Sequence, residues 1–150
     1  MQVNGWSLFA FRIFADRLSA LKTEVERLRR EDAVGYKNHP TTKLLALVYD
    51  AITKRVPANP DATEFRLGKT LGKEYTAWRR VKHGLPQRYR LFFRFSSKPV
   101  RLVIYAWLND EATLRKAGAN TDAYEVFRRM LERGEVPSSV ETLLARSRDL

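Results

Sequence analysis

The segment from Arg101 to Leu108, RLVIYAWL, limits the possible folds more than any other stretch. After its first residue it is continuously apolar, and β-branched and aromatic side chains are prominent. A strand with one wet face would alternate. This one reads as an interior strand covered on both faces, so the chain must build a sheet with other layers packed against it.

The remaining periodicities supply those layers. Trp6 to Phe11 alternates weakly and predicts a first strand. Phe14, Leu18, Leu21, Val25 and Leu28 recur at spacings of four and three, the apolar stripe of a helix reaching about Arg30 and ended by Gly35. A second helix is expected after Pro40, with Thr41 or Thr42 as its cap. Its apolar face would be Leu44, Leu45, Leu47, Val48, Ala51 and Ile52, and VPANPD would close the hairpin. Further strands are expected at Phe65–Leu71, Trp78–Lys82 and Gln87–Ser96, the last two joined by the turn HGLP. Asn109 or Asp110 would cap a short helix stopped by Gly118. Asp122 with Glu125 forms a capping box for a helix ended by Gly134, and Ser138 with Glu141 starts a final one. The order predicts an α+β fold, a small curved antiparallel sheet packed on an N-terminal helical hairpin, with C-terminal helices. At 150 residues the expectation is one domain, 1–150, with a sizeable core.

Several chemistries are excluded by what the chain lacks. It has no cysteine, hence no disulfide, thiol nucleophile or Cys-ligated zinc. His39 and His83 have no second histidine or carboxylate at ligand spacing, so no metal site is expected. RLGKTLGK lacks the spacing of a phosphate-binding P-loop. WSLFAF is too short for a secretory signal, and no apolar run approaches the roughly 20 residues of a membrane span, so a cytoplasmic protein without membrane attachment is the expectation.

The net charge is +11, and it is concentrated. Between Arg66 and Arg101 eleven Lys and Arg face one acid, Glu74, whereas the rest of the chain holds seventeen basic and sixteen acidic residues. A uniformly basic surface would spread the excess; a block of strands that collects it reads as a site for a polyanion. In Gln87–Ser96, period two puts Tyr89, Leu91, Phe93 and Phe95 on a core face and Arg88, Arg90, Phe92 and Arg94 on the other. Trp78, Arg80 and Lys82 alternate with Val81 on the neighbouring strand. If both sets share one side of the sheet, five cations and two aromatic rings line one concavity. Guanidiniums suit phosphates and aromatic rings stack bases, so single-stranded nucleic acid is the ligand that fits. Solvated outer-face residues would explain any one of these arginines. They would not explain the cluster, because like charges on adjacent strands repel without acids to relieve them.

RNA carries its own nucleophile, the 2′-OH, so cleavage needs positioning, charge stabilisation and proton transfer, with no obligatory metal or cofactor. Arginine can only stabilise charge. A lysine among guanidiniums has its pKa lowered and becomes a better base, and Lys82 is the candidate by position. Tyr124, beside Thr121 and Asp122, would donate or orient, or else pack beside Phe127. A non-catalytic basic RNA- or DNA-binding module accounts for the charge equally well, and an interaction protein that receives an acidic peptide is a third reading.

VNGW at 3–6, KLLALV at 43–48, FRLGKTLG at 65–72, RYRLFFRFS at 88–96 and WLNDEATLRKAGANTDAYEVFRRML at 107–131 closely resemble the YhaV toxins of bacterial toxin–antitoxin systems, a branch of the RelE-like superfamily. The resemblance runs from about Val3 to Leu144. It implies a RelE-like fold and a metal-independent mRNA endoribonuclease that stops growth, acting on mRNA that is free or on the ribosome. It also implies a PrlF-type antitoxin partner that neutralises the toxin, with operator DNA contacted only through that antitoxin. Carried over by position, it points to Arg80 and Lys82 in WRRVK, Arg90 in QRYRLFF, Arg115 after WLNDE and Tyr124 in TDAY as catalytic. Lys69, Trp78, Arg88, Phe92 and Arg94 are then expected to bind RNA. His83 lies outside the family pattern.

Overall fold

Strand β5 (Leu102–Leu108) runs through the middle of the protein, and all seven of its residues are buried. The structure, a computed structural model, describes residues 1–150. Around β5 it places β1 (Gln2–Val3), β2 (Trp6–Phe11), β3 (Arg79–Val81), β4 (Leu91–Ser96) and β6 (Ser147–Asp149). The sheet order is β1-β2-β5-β4-β3, with β6 also paired to β2. One face is covered by α1 (Arg12–Glu31) and α2 (Pro40–Asp50), which continues through a wide π turn at Ala51–Arg55 into the short α3 (Val56–Ala58). The other face is covered by α4 (Ala123–Glu132) and α5 (Val140–Ala145).

Each face has its own core. Leu8, Phe14, Leu18, Leu44, Val48, Leu91, Phe93, Val103 and Tyr105 fill the first. Trp78, Phe92, Ile104, Trp107, Phe127 and Leu131 fill the second. The alternation in β4 explains the division, since neighbouring residues of a strand point to opposite faces. In β5 the alternation breaks once. Phe92 pairs with Trp107 and Phe93 with Tyr105, so Ala106 is an extra residue, a β-bulge. The bulge turns Trp107 toward the α4 side, where it stacks with Phe92 and Phe127. The π turn has a matching use, because the Ile52 carbonyl within it accepts the buried Tyr105 hydroxyl at 2.8 Å. Burial pushes the Tyr105 phenol well above its ordinary pKa.

The α+β architecture agrees with the sequence reading, and several details differ. The sheet is mixed, because β2 and β5 are parallel. Three helices and two strands separate them, a connection long enough for a parallel pair. Phe65–Leu71 is not a strand. It holds a 3-10 turn ending at Phe65 and a single bridge from Arg66 to Arg79, and Gly68, at φ +58°, turns the chain away. β4 begins at Leu91 instead of Gln87. Arg88 lies in the left-handed region, with φ 72°, and its carbonyl accepts from Asn109 Nδ2 and the Arg115 amide instead of from a strand partner. The cap of α2 is His39, whose Nδ1 accepts the Thr41 amide, with Pro40 as the first helical residue. Residues 109–118 hold only one 3-10 turn, Glu111–Thr113, closed by an Asp110–Thr113 capping box. The final helix is capped by Ser139.

Candidate active site

Three elements converge on the Tyr124 hydroxyl. β3 contributes Arg80, which lies opposite Phe92 in the ladder and so points to the α4 face. The loop before β4 contributes Arg90. The first turn of α4 contributes Tyr124 itself, placed by the cap residue Asp122, whose Oδ2 accepts the Tyr124 amide at 3.1 Å. Arg80 Nε donates to the Tyr124 hydroxyl at 3.0 Å and Arg90 Nε at 3.1 Å. Both lone pairs of the phenol oxygen are thereby used, and its own hydrogen remains free to donate. Arg115 closes the group from the third side, with its guanidinium carbon 5.0 Å from the centre of the Tyr124 ring.

The guanidiniums are fixed in place. Arg80 Nη1 donates to the carbonyls of Glu64 and Arg66, at 3.1 and 2.7 Å. Arg90 Nη1 donates back to the Tyr89 carbonyl at 2.8 Å. Arg115 Nη1 meets Asp122 Oδ1 at 2.7 Å. In each case Nη2 is left to reach a ligand, and three such groups around one hydroxyl suit the oxygens of a phosphate. Asp122, only 3% exposed, is the one carboxylate that contacts the group. Burial pushes its carboxyl up, but Arg115 and the backbone amides of Lys116 and Glu125 outweigh this and hold it below its ordinary value. It is an anion committed to holding Arg115 and α4.

Not every sequence-predicted residue joins this group. Arg90 is not an open surface residue, since only 8% of it is exposed. Lys82 is exposed, lies just past the end of β3, and makes no hydrogen bond with the group around Tyr124. Trp78 and Phe92, expected to stack bases, have no exposed surface. Both sit beneath α4, Phe92 stacked on Phe127 at 4.3 Å and Trp78 edge-on to it at 5.0 Å. The helix that supplies Tyr124 needs an apolar floor, and these rings provide it. Arg94 faces the same side farther along β4, lies over Trp78 and donates to the Ser138 carbonyl. Burial, then the nearby Arg79, lowers its pKa. Arg88 and Lys69 are exposed in turns.

Two residues that shape the site carry no sequence signal of doing so. Asn109, fully buried, accepts the Arg90 amide at 2.8 Å and donates to the carbonyls of Arg88 and Thr113. In sequence it is one more polar residue after a strand. Trp107, 8% exposed, reaches the site face through the bulge at Ala106, which a pattern of unbroken apolar residues cannot reveal. No three His, Asp or Glu side chains are grouped as metal ligands would be. No helix is long and apolar enough to cross a membrane.

Comparison with known proteins follows the same lines. Residues 8–148 match the model of a family described as a toxin with endonuclease activity, of a toxin–antitoxin system. The chain is 47% identical over 143 residues to the ribonuclease toxin YhaV of Escherichia coli K12, covering 95% of this chain and 92% of the relative. It is 47% identical to the toxin YhaV of E. coli O157:H7 and 46% identical to that of E. coli O6:H1, with the same coverage. No solved structure matches. With nearly its whole length matched, this chain belongs to the YhaV family of toxins.

Proposed function

We propose that this protein is the toxin of a toxin–antitoxin pair and a metal-independent mRNA endoribonuclease, acting in the cytoplasm through the Tyr124 site. The observation that carries the reading is the double acceptance at the Tyr124 hydroxyl, which leaves its own hydrogen without an acceptor in the protein and available to a ligand. In this mechanism the RNA 2′-OH attacks the adjacent phosphorus and gives its proton to the general base, for which Lys82 is the candidate by position. Arg80, Arg90 and Arg115 hold the non-bridging oxygens as negative charge develops. Tyr124 gives its proton to the departing 5′-oxygen, leaving a 2′,3′-cyclic phosphate. Arg88 and Lys69, exposed and basic, would contact the flanking backbone.

The antitoxin, of the PrlF type that the resemblance implies, would neutralise this surface with an acidic segment and would carry any contact with operator DNA. The burial of Trp78 and Phe92 favours a phosphate-reading site over a base-stacking platform. Cleavage of RNA in EDTA, with and without ribosomes, tests the reading. Fragments ending in 2′,3′-cyclic or 3′-phosphate are expected from the wild type. Arg80→Ala and Arg90→Lys should each lose about a hundredfold to a thousandfold in rate. RNA left intact under both conditions, or salt-dependent binding without cleavage, overturns it.

A further inference from the structure

Two of the three arginines around Tyr124 sit on loops. Arg90 precedes β4, and Arg115 lies beyond the 3-10 turn that follows β5. We propose that Asn109, clamped from the opposite layer by Arg17 of α1, is the positioning residue that sets the spacing of Arg90 and Arg115 around a scissile phosphate, an inference that rests on the ribonuclease reading above.

Loop backbone is softer than helix or strand, and a catalytic group displaced by about 1 Å can cost about a hundredfold in rate. Both loops therefore need a brace. Asn109 Oδ1 accepts the Arg90 amide at 2.8 Å, and the Asn109 amide donates to the Arg90 carbonyl at 3.3 Å. Arg90 is thus gripped by both of its backbone groups, although it lies outside the strand. Asn109 Nδ2 donates to the Arg88 carbonyl at 3.1 Å and to the Thr113 carbonyl at 2.8 Å. The Arg88 carbonyl also accepts the Arg115 amide at 2.9 Å, so one oxygen joins Asn109 to the backbone of Arg115. Asparagine is the one side chain of this length that offers an acceptor and two donors; aspartate lacks the donors, and serine has one.

The remaining group of Asn109, its carbonyl, accepts from Arg17 Nη2 at 3.2 Å. Arg17 belongs to α1, on the face of the sheet away from Tyr124, and its Nε is buried without a partner. An unbonded buried donor is destabilising, and the bond that the same guanidinium does make goes to the residue bracing the site. With Arg17 in place, every hydrogen-bonding group of Asn109 is used. A polar node satisfied in this way is rigid and has one arrangement.

The test is a double-mutant cycle on single-turnover cleavage at saturating RNA, with wild type, Asn109→Ala, Arg90→Lys and the double variant, each checked for folding by calorimetry. Asn109→Ala should cut about tenfold to a hundredfold more slowly while its RNA affinity stays within about threefold of wild type. The losses of the two single variants should fall well short of multiplying in the double, since Asn109 acts through Arg90; a residue that only stabilises the fold gives losses that multiply. A wild-type rate in Asn109→Ala, or losses that multiply, overturns the proposal. If Asn109→Ala does not fold, Arg17→Met takes its place in the cycle, because it keeps the stem and frees only the Asn109 carbonyl. It should cut about threefold more slowly, again without multiplying, and a wild-type rate overturns the clamp. Exchange of the Arg90 Nε proton, read by NMR without RNA, keeps the two readings apart. Asn109→Ala should speed that exchange by about tenfold or more. An unchanged exchange rate overturns the positioning role whether or not the protein cuts RNA, whereas wild-type protein that leaves RNA intact overturns the ribonuclease reading alone.

Discussion

Replacing Tyr124 by Phe removes one oxygen and leaves the ring on Phe92, where the two are edge-on at 5.6 Å. Two guanidinium N–H groups lose their acceptor. Arg80 is half-exposed and water can replace the bond, whereas Arg90 is largely covered. One buried bond from a charged donor is thus lost in full, about 2 kcal/mol. For a chain of 150 residues this lowers Tm by about 4–8 °C. Total stability is of order 5–15 kcal/mol, so the variant stays folded at 25 °C. Loss of a general acid costs about a hundredfold to ten-thousandfold in rate, far more than unfolding could account for. Calorimetry supplies the first quantity and single-turnover cleavage the second. An RNA with sulfur in place of the scissile 5′-oxygen separates the roles, because a thiolate leaves without a proton. Tyr124→Phe should cut this substrate at close to the wild-type rate. If the variant is equally impaired on both substrates, Tyr124 does not protonate the leaving group, and the reasoning fails.

Asp122→Asn should cost about 1–3 kcal/mol at neutral pH, by weakening the charge-assisted bonds to Arg115 and to two amides. The Asp122 carboxyl is held below its ordinary value, so its contribution is present above about pH 4 and is lost as pH falls through the folded-state value. Urea denaturation of the two proteins should therefore converge in acid; a gap that persists at low pH counts against the assignment. Phe92→Leu keeps an apolar side chain in the floor beneath α4 but removes a ring packed on Phe127, Trp107 and Tyr124, and should cost about 1–3 kcal/mol, measured by the same unfolding. Its RNA affinity by filter binding should match the wild type, and a loss of about 1–3 kcal/mol in binding would place a base on that ring after all.

How far the sequence revealed the fold depended on how local each signal was. The helix stripe from Phe14 to Leu21, the two-faced run in β5 and the period-two faces around Leu91 and Phe93 are all settled by a few neighbouring residues, and all appear as expected. The parallel pairing of β2 with β5 and the edge strand β6 join distant segments, and no local pattern announces them. The charge concentration and the resemblance together named Arg80, Arg90, Arg115 and Tyr124, and the fold brings these four into one group. Period two correctly placed Trp78 and Phe92 on the face shared with Arg80. It could not say that α4 would cover them, because burial of an outer face depends on what packs there. The converse holds for Asn109, whose hydrogen bonds to three backbone groups come entirely from loop geometry.

Three guanidiniums held around one phenol, with a single carboxylate in contact, repel one another whenever the site is empty. Any polyanion that fills the site relieves that repulsion in the folded state alone, and so shifts the folding equilibrium as well as occupying the centre. Substrate and inhibitor are alike in this respect. An acidic antitoxin segment seated there would silence the toxin and, by the same contacts, act as its folding ligand. Loss of the antitoxin would then release a protein that is active and less resistant to unfolding, so the free toxin would be the shorter-lived form.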